Sequence, residues 1–107
     1  MSSMSLNFYR DTIQVLCESK GWNRLSVPTV WLLLTEEIGE LASAIRQNFK
    51  IYPKSGLRKP KGVDIKLEMG DVFSYLFQLA YMLDIDLDDM WVRHQQKVLQ
   101  RNYNMQQ

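Results

Sequence analysis

Apolar residues recur at helical spacing along almost the whole chain, and four amphipathic segments follow from that pattern alone. Between residues 5 and 20, Leu6, Tyr9, Ile13, Leu16 and Cys17 share one stripe, and Gly21 is placed to stop the helix. Gly21 to Pro28 reads as a connecting loop, with Pro28 suited to the next helix's first turn, where its missing N–H costs nothing. The second helix is predicted from about Pro28 to about Asn48, with Val30, Leu33, Leu34, Leu41 and Ala44 on one face. The third spans about Val63 to Asp84 and aligns Ile65, Val72, Tyr75, Leu79 and Leu83. A fourth runs on to about Tyr103, with Leu87, Trp91, His94 and Val98 in line. Asp86 suits its N-cap, and Asp88 and Asp89 favour the dipole of its first turn. Pro53, Gly56, Pro60 and Gly62 argue against a helix between residues 49 and 62. Neither strand-type alternation nor an internal repeat is present. The expected fold is all-α, a four-helix bundle-like subunit forming one domain over residues 1–107.

Two of these stripes are interrupted by acids. Glu37 lies in the apolar sector of the second helix, with Glu40 one turn on and Glu36 at the sector's edge. In the third helix Glu68 shares the core face and Asp71 follows one turn later. A carboxylate among apolar neighbours is costly to desolvate unless a cation meets it. Two i, i+3 carboxylate pairs on facing helices would give four oxygen ligands around one small space, the donor set of Mg²⁺ or Mn²⁺. The competing reading is an ordinary charged helix surface. It is weakened by the acids' place on the apolar face and by the repetition of the arrangement. Gly39 and Gly70 each precede the last acid of their pair, and their matching places suggest a close approach of the helices there.

Composition narrows the classes further. A net charge of +1 with 46% hydrophobic residues fits an ordinary globular domain, neither a basic nucleic-acid binder nor a disordered acidic chain. Cys17 is the only cysteine, so no internal disulfide forms, which fits a reducing compartment. There is no signal-peptide pattern, and the longest apolar run, Val30 to Leu34, cannot span a membrane. A cytoplasmic location is expected. Asp84 to Asp89 superficially suggests a calcium loop, but Asp89 stands where its glycine belongs and Gln95 where its glutamate belongs. Lys50, Lys54, Arg58, Lys59, Lys61 and Lys66 make the segment around residues 49–62 basic, with only Asp64 in opposition.

The pattern Glu36-Glu37-x-x-Glu40 followed by Glu68-x-x-Asp71 resembles the signature of the MazG-like all-α nucleoside triphosphate pyrophosphohydrolases. The 27 residues between Glu40 and Glu68 are closer to the dCTP-pyrophosphatase branch than to short-spacer MazG domains. Gly21-Trp22, Pro28, the run Glu37-x-Gly39-Glu40-Leu41-Ala42, Tyr75 and Asn102 add to that likeness. The resemblance implies that Glu37, Glu40, Glu68 and Asp71 hold Mg²⁺. It also implies hydrolysis of a nucleoside triphosphate, expected to be a deoxynucleotide, to the monophosphate and pyrophosphate. Glu36 and Glu37 become the catalytic candidates, Glu36 to orient or deprotonate water, or else simply to pair with a lysine on the surface. Trp22 would stack on the base or plug the bundle end. Tyr75 would bond sugar or phosphate, or be a core tyrosine. Lys54, Arg58, Lys59 and Lys61 in the basic loop, otherwise a solvated connection, and Lys97 and Arg101 on the last helix would reach phosphate oxygens in the same or a neighbouring subunit, with Asn102 contacting base or sugar. His94 reads as a helix-face residue.

Two departures fall on recognition and leave the metal motif intact. Gln47 and Phe49 occupy the region where the branch has a tryptophan, and Met105 stands in place of a basic residue. Two helices this apolar in a short chain predict a homodimer or homotetramer. The rival classes are a non-enzymatic helical adaptor, whose acids only pair with lysines, and a carboxylate-bridged di-metal redox bundle. The absence of a Glu-x-x-His motif argues against the latter.

Overall fold

The computed structural model describes residues 4–51 and 64–105, with side chains as far as Arg101. Its helices are α1 (Leu6–Lys20), α2 (Val27–Asn48), α3 (Ile65–Met82) and α4 (Leu87–Met105), with a short 3₁₀ turn at Trp22–Arg24. Among the described residues there is no strand, and no helix is long and apolar enough to cross a membrane. The expected all-α class holds, and every predicted helix is present with ends shifted by only a residue or two.

Local chemistry explains those ends. The Ser5 side chain accepts from Phe8 N at 3.1 Å and starts α1, and Ser26 does the same for Thr29 N at 3.3 Å. Ser26, rather than Pro28, therefore fixes where α2 begins. Asp64, expected only as a lone negative charge among lysines, caps α3 by accepting from Lys66 N at 2.9 Å. Gly21 ends α1 with a φ of 76°, the left-handed conformation that glycine adopts without strain. Asp84 closes α3 the same way at φ 56°, with Asp84 N donating to Tyr81 O and Ile85 N to Ala80 O. Asp86 then caps α4 through Asp89 N at 3.0 Å, so the acidic stretch is helix punctuation, not a calcium loop.

α3 runs along α2 and also packs on α1, whereas α4 meets α1. The buried core holds Cys17 from α1, Val30, Leu34 and Ala44 from α2, and Ala80 from α3. The α2 stripe thus falls where the periodicity put it. α4 is fastened at its start: Asn7 donates to Asp86 at 2.9 Å and accepts from Leu87 N at 2.8 Å, while Leu6 N donates to Asp88 at 3.0 Å. Beyond that turn Trp91, Val92 and Leu99 are exposed, and His94 stacks on Trp91 with ring centroids 5.8 Å apart. The radius of gyration is 17.5 Å, against about 13 Å for a compact chain of this length. The close approach expected at Gly39 and Gly70 is absent. Among the described residues nothing lies within 4 Å of a Cβ built on either, so both glycines face open space.

Candidate metal centre

The acids on the α2 and α3 stripes meet across the seam. Glu37, Glu40 and Glu68 each bring a carboxylate oxygen within 4.8 Å of the others. Spacing of i, i+3 places Glu37 and Glu40 on adjacent turns of α2, and Glu68 comes from the first turn of α3. Asp71 falls outside that tight group but lines a cavity with Glu37, and its charge is felt by Glu37. Glu36 is exposed, one residue off the cluster.

Electrostatically the cluster is under stress. Burial, then the charge and hydrogen bond of Glu40, then the charges of Asp71 and Glu68, push Glu37 up from 4.5 to about 7. Among the described residues, Glu37 Oε2 and Glu68 Oε2 are both buried without a hydrogen-bond partner. Buried carboxylate oxygens are rarely left so. The donors are all carboxylate oxygens, which suits a hard divalent cation. The residues fit a divalent metal.

Beside the acids opens a cavity of about 540 Å³, within the range of small-molecule sites. α1 contributes Ile13, Leu16 and Cys17, the following turn contributes Trp22 and Leu25, and α2 contributes Leu33 and Glu37. The α3 wall carries Asp71, Ser74, Tyr75 and Gln78. Burial, then the negative charges of Glu37, Asp71 and Glu36, raise the Tyr75 phenol above its usual range, so it stays a protonated donor. Burial likewise pushes the Cys17 thiol up, which leaves it a neutral wall residue and not a nucleophile.

Of the residues singled out from the sequence, Glu37, Asp71, Trp22 and Tyr75 share this cavity, and Glu40 and Glu68 adjoin it through Glu37. Lys97 and Arg101 are exposed on α4, and neither makes an ion pair with the acids among the described residues. Both follow the N-terminal turn by which α4 is tied to α1. Lys54, Arg58, Lys59 and Lys61 lie outside the described residues, as does the Asn102 side chain. Gln78, Ser74 and Cys17 were not anticipated. Their signal was positional: Ser74 and Gln78 follow Asp71 by three and seven residues, on the same helical face.

The model of the MazG nucleotide pyrophosphohydrolase domain matches residues 26–105, which include both acid pairs. The chain is also 32% identical to YvdC, an uncharacterized protein of Bacillus subtilis (strain 168), over 88 residues, 78% of this chain and 83% of that protein. No solved structure matches it. The class of chemistry that goes with the match is nucleotide pyrophosphohydrolysis. With the match covering most of its length and both acid pairs, the chain belongs to the MazG nucleotide pyrophosphohydrolase family.

Proposed function

We propose that this protein is a Mg²⁺-dependent nucleoside triphosphate pyrophosphohydrolase, acting on a deoxynucleotide to release pyrophosphate and leave the monophosphate. The observation that carries the reading is the meeting of Glu37, Glu40 and Glu68 from two helices, with buried oxygens on Glu37 and Glu68 that no described residue satisfies. Glu37, Glu40, Glu68 and Asp71 would hold the ion, for which Mn²⁺ is the natural substitute. When bound, Mg²⁺ neutralises charge on phosphate oxygens and lowers the pKa of coordinated water.

The chain's own residues account for the remaining work. Water attacks the α-phosphorus, the bond from that phosphorus to the α,β-bridging oxygen breaks, and pyrophosphate leaves. Glu36, exposed beside the cluster, orients that water and takes its proton. Tyr75 donates its phenolic hydrogen to a sugar or phosphate oxygen, and Trp22 offers a face to the base at the cavity wall. Positioning and electrostatics of this kind are most of what phosphoryl transfer requires. The cavity favours a nucleotide over an adaptor role, since a helix-only interaction module has no use for an acid-rimmed pocket. The dCTP-pyrophosphatase branch is the nearest specific assignment, resting on the spacer length and on Trp22 and Tyr75.

A second copy completes the molecule in this reading, as homodimer or homotetramer. Trp31 and Leu32 on α2 and Leu67 on α3 are 56%, 64% and 66% exposed. Large apolar faces of this kind mark association surfaces. A stable mass near 12.6 kDa by light scattering contradicts the oligomer.

The enzymatic proposal is tested by incubating the protein with each common deoxynucleoside triphosphate and Mg²⁺. Pyrophosphate should form and should stop forming when the metal is chelated. Orthophosphate as the sole phosphorus product released contradicts the proposal.

A further inference from the structure

Gln78 is 4% exposed, the buried polar side chain of the described core. It lines the cavity beyond Ser74 and Tyr75, on the same face of α3 as Asp71 and about 10 Å further along the helix axis. That is the arrangement needed to meet the far edge of a base whose α-phosphate sits at the acids, with the sugar between. Much of the surrounding wall is apolar: Ile13, Leu25 and Leu33.

An amide in such a place is costly unless its N–H and C=O find partners. Among the described residues the Gln78 amide is held by one long bond, Nε2 donating to the Trp22 carbonyl at 3.5 Å. A distance of that length is beyond the usual range for N–H···O. A leucine would fill the same volume without the cost, so the amide calls for a ligand that a leucine could not serve.

We propose that Gln78 is the specificity-determining residue that reads the nucleobase. Its C=O accepts from an exocyclic amino group while its N–H donates to the adjacent ring nitrogen. Cytosine and adenine carry that edge. This inference rests on the nucleotide-hydrolase reading above and adds to it the group that recognises the base.

The test compares wild type, Gln78→Leu and Gln78→Glu on a deoxynucleotide panel and on 2′-deoxyribose 5′-triphosphate, which has no base. In Gln78→Leu the ratio of kcat/KM for the preferred nucleotide over the base-free triphosphate should fall about ten- to a hundredfold. The loss should lie mainly in KM, and the panel should flatten. Gln78→Glu keeps the shape but only accepts, so it should move relative preference toward guanine, whose N1–H and N2–H₂ are both donors. Parallel loss on both substrates, or an unchanged order of preference, overturns the proposal and leaves Gln78 a structural residue. If circular dichroism shows Gln78→Leu unfolded, Gln78→Glu decides alone by the presence or absence of the guanine shift. Wild type inert toward every triphosphate overturns the hydrolase reading itself, and is told apart because no variant is needed to see it.

Discussion

Leu34 on α2 and Leu99 on α4 are the same side chain on amphipathic helices, yet Leu34 is 1% exposed and Leu99 is 67% exposed. The α2–α3 seam has its own partner within the chain, so apolar periodicity there is cashed as burial. It also forces Glu37 and Glu68, which share the stripe, into the same seam. α4 is held by polar bonds at one end, from Asn7 and the Leu6 amide, and its apolar side finds little to cover it. The difference separates two kinds of candidate residue. Those placed by the seam, the carboxylates, Tyr75 and Gln78, are positioned by packing that one protomer completes. Lys97 and Arg101, carried by α4, are exposed and make no ion pair with the acids among the described residues.

The largest expected effect falls on the seam acids. Glu40→Gln should take pyrophosphate release to background while leaving the far-ultraviolet helical signal intact, because the exchange removes one charge from the ligand set and no packing. Retained turnover would remove Glu40 from the centre. Arg101→Ala, in contrast, should spare turnover if α4 stays clear of the acids, and a comparable loss would show that another copy brings it there.

Stability should split the same two regions. Leu34→Ala leaves a cavity in a closed seam and should cost about 2–5 kcal/mol in chemical denaturation. Leu99→Ala, at a surface position, should stay within about 0.5 kcal/mol. A cost at Leu99 approaching that at Leu34, and dependent on protein concentration, would mean that a second copy covers α4.

A smaller effect follows from Glu37. Burial and the neighbouring acids push its carboxyl up from an ordinary 4.5 to about 7. The metal-free native state therefore holds a proton that the unfolded chain has released. The stability involved is fully present below about 4.5 and is lost as pH rises through about 7. Melting in chelator at pH 5 and pH 8 should show this fall in wild type and not in Glu37→Gln, and Mg²⁺ at pH 8 should restore it. A flat wild-type profile would mean the acids do not repel as placed. The smallest effect is at Gly39, where Gly39→Ala should stabilise by about 1 kcal/mol, since open space surrounds the new methyl. Destabilisation instead would reveal a neighbour that the protomer lacks.

How far these regions were legible depends on what each residue type reports. The helices could be read because 3.6-residue periodicity, Gly21 and the Asp86 cap are local signals that tertiary packing did not oppose. The acid pairs could be read because charge in an apolar stripe needs an answer whatever the fold. Gly39 and Gly70 misled because a missing Cβ permits close approach without requiring it. Gln78 escaped notice because a neutral amide in the apolar run from Val72 to Leu83 carries no charge to flag it. Only the cavity between α1 and α3 shows what it faces. The reach of Lys97 and Arg101 was a matter of how α4 sits, which no spacing within the helix encodes.

The central claim, that these carboxylates build a centre for attack on the α-phosphorus, is tested most directly by one turnover experiment in ¹⁸O-labelled water. With Mg²⁺ and the preferred deoxynucleotide, the label should enter the nucleoside monophosphate while the pyrophosphate stays unlabelled, and Glu40→Gln should yield neither product. Label in the pyrophosphate, or release of orthophosphate alone, would contradict it.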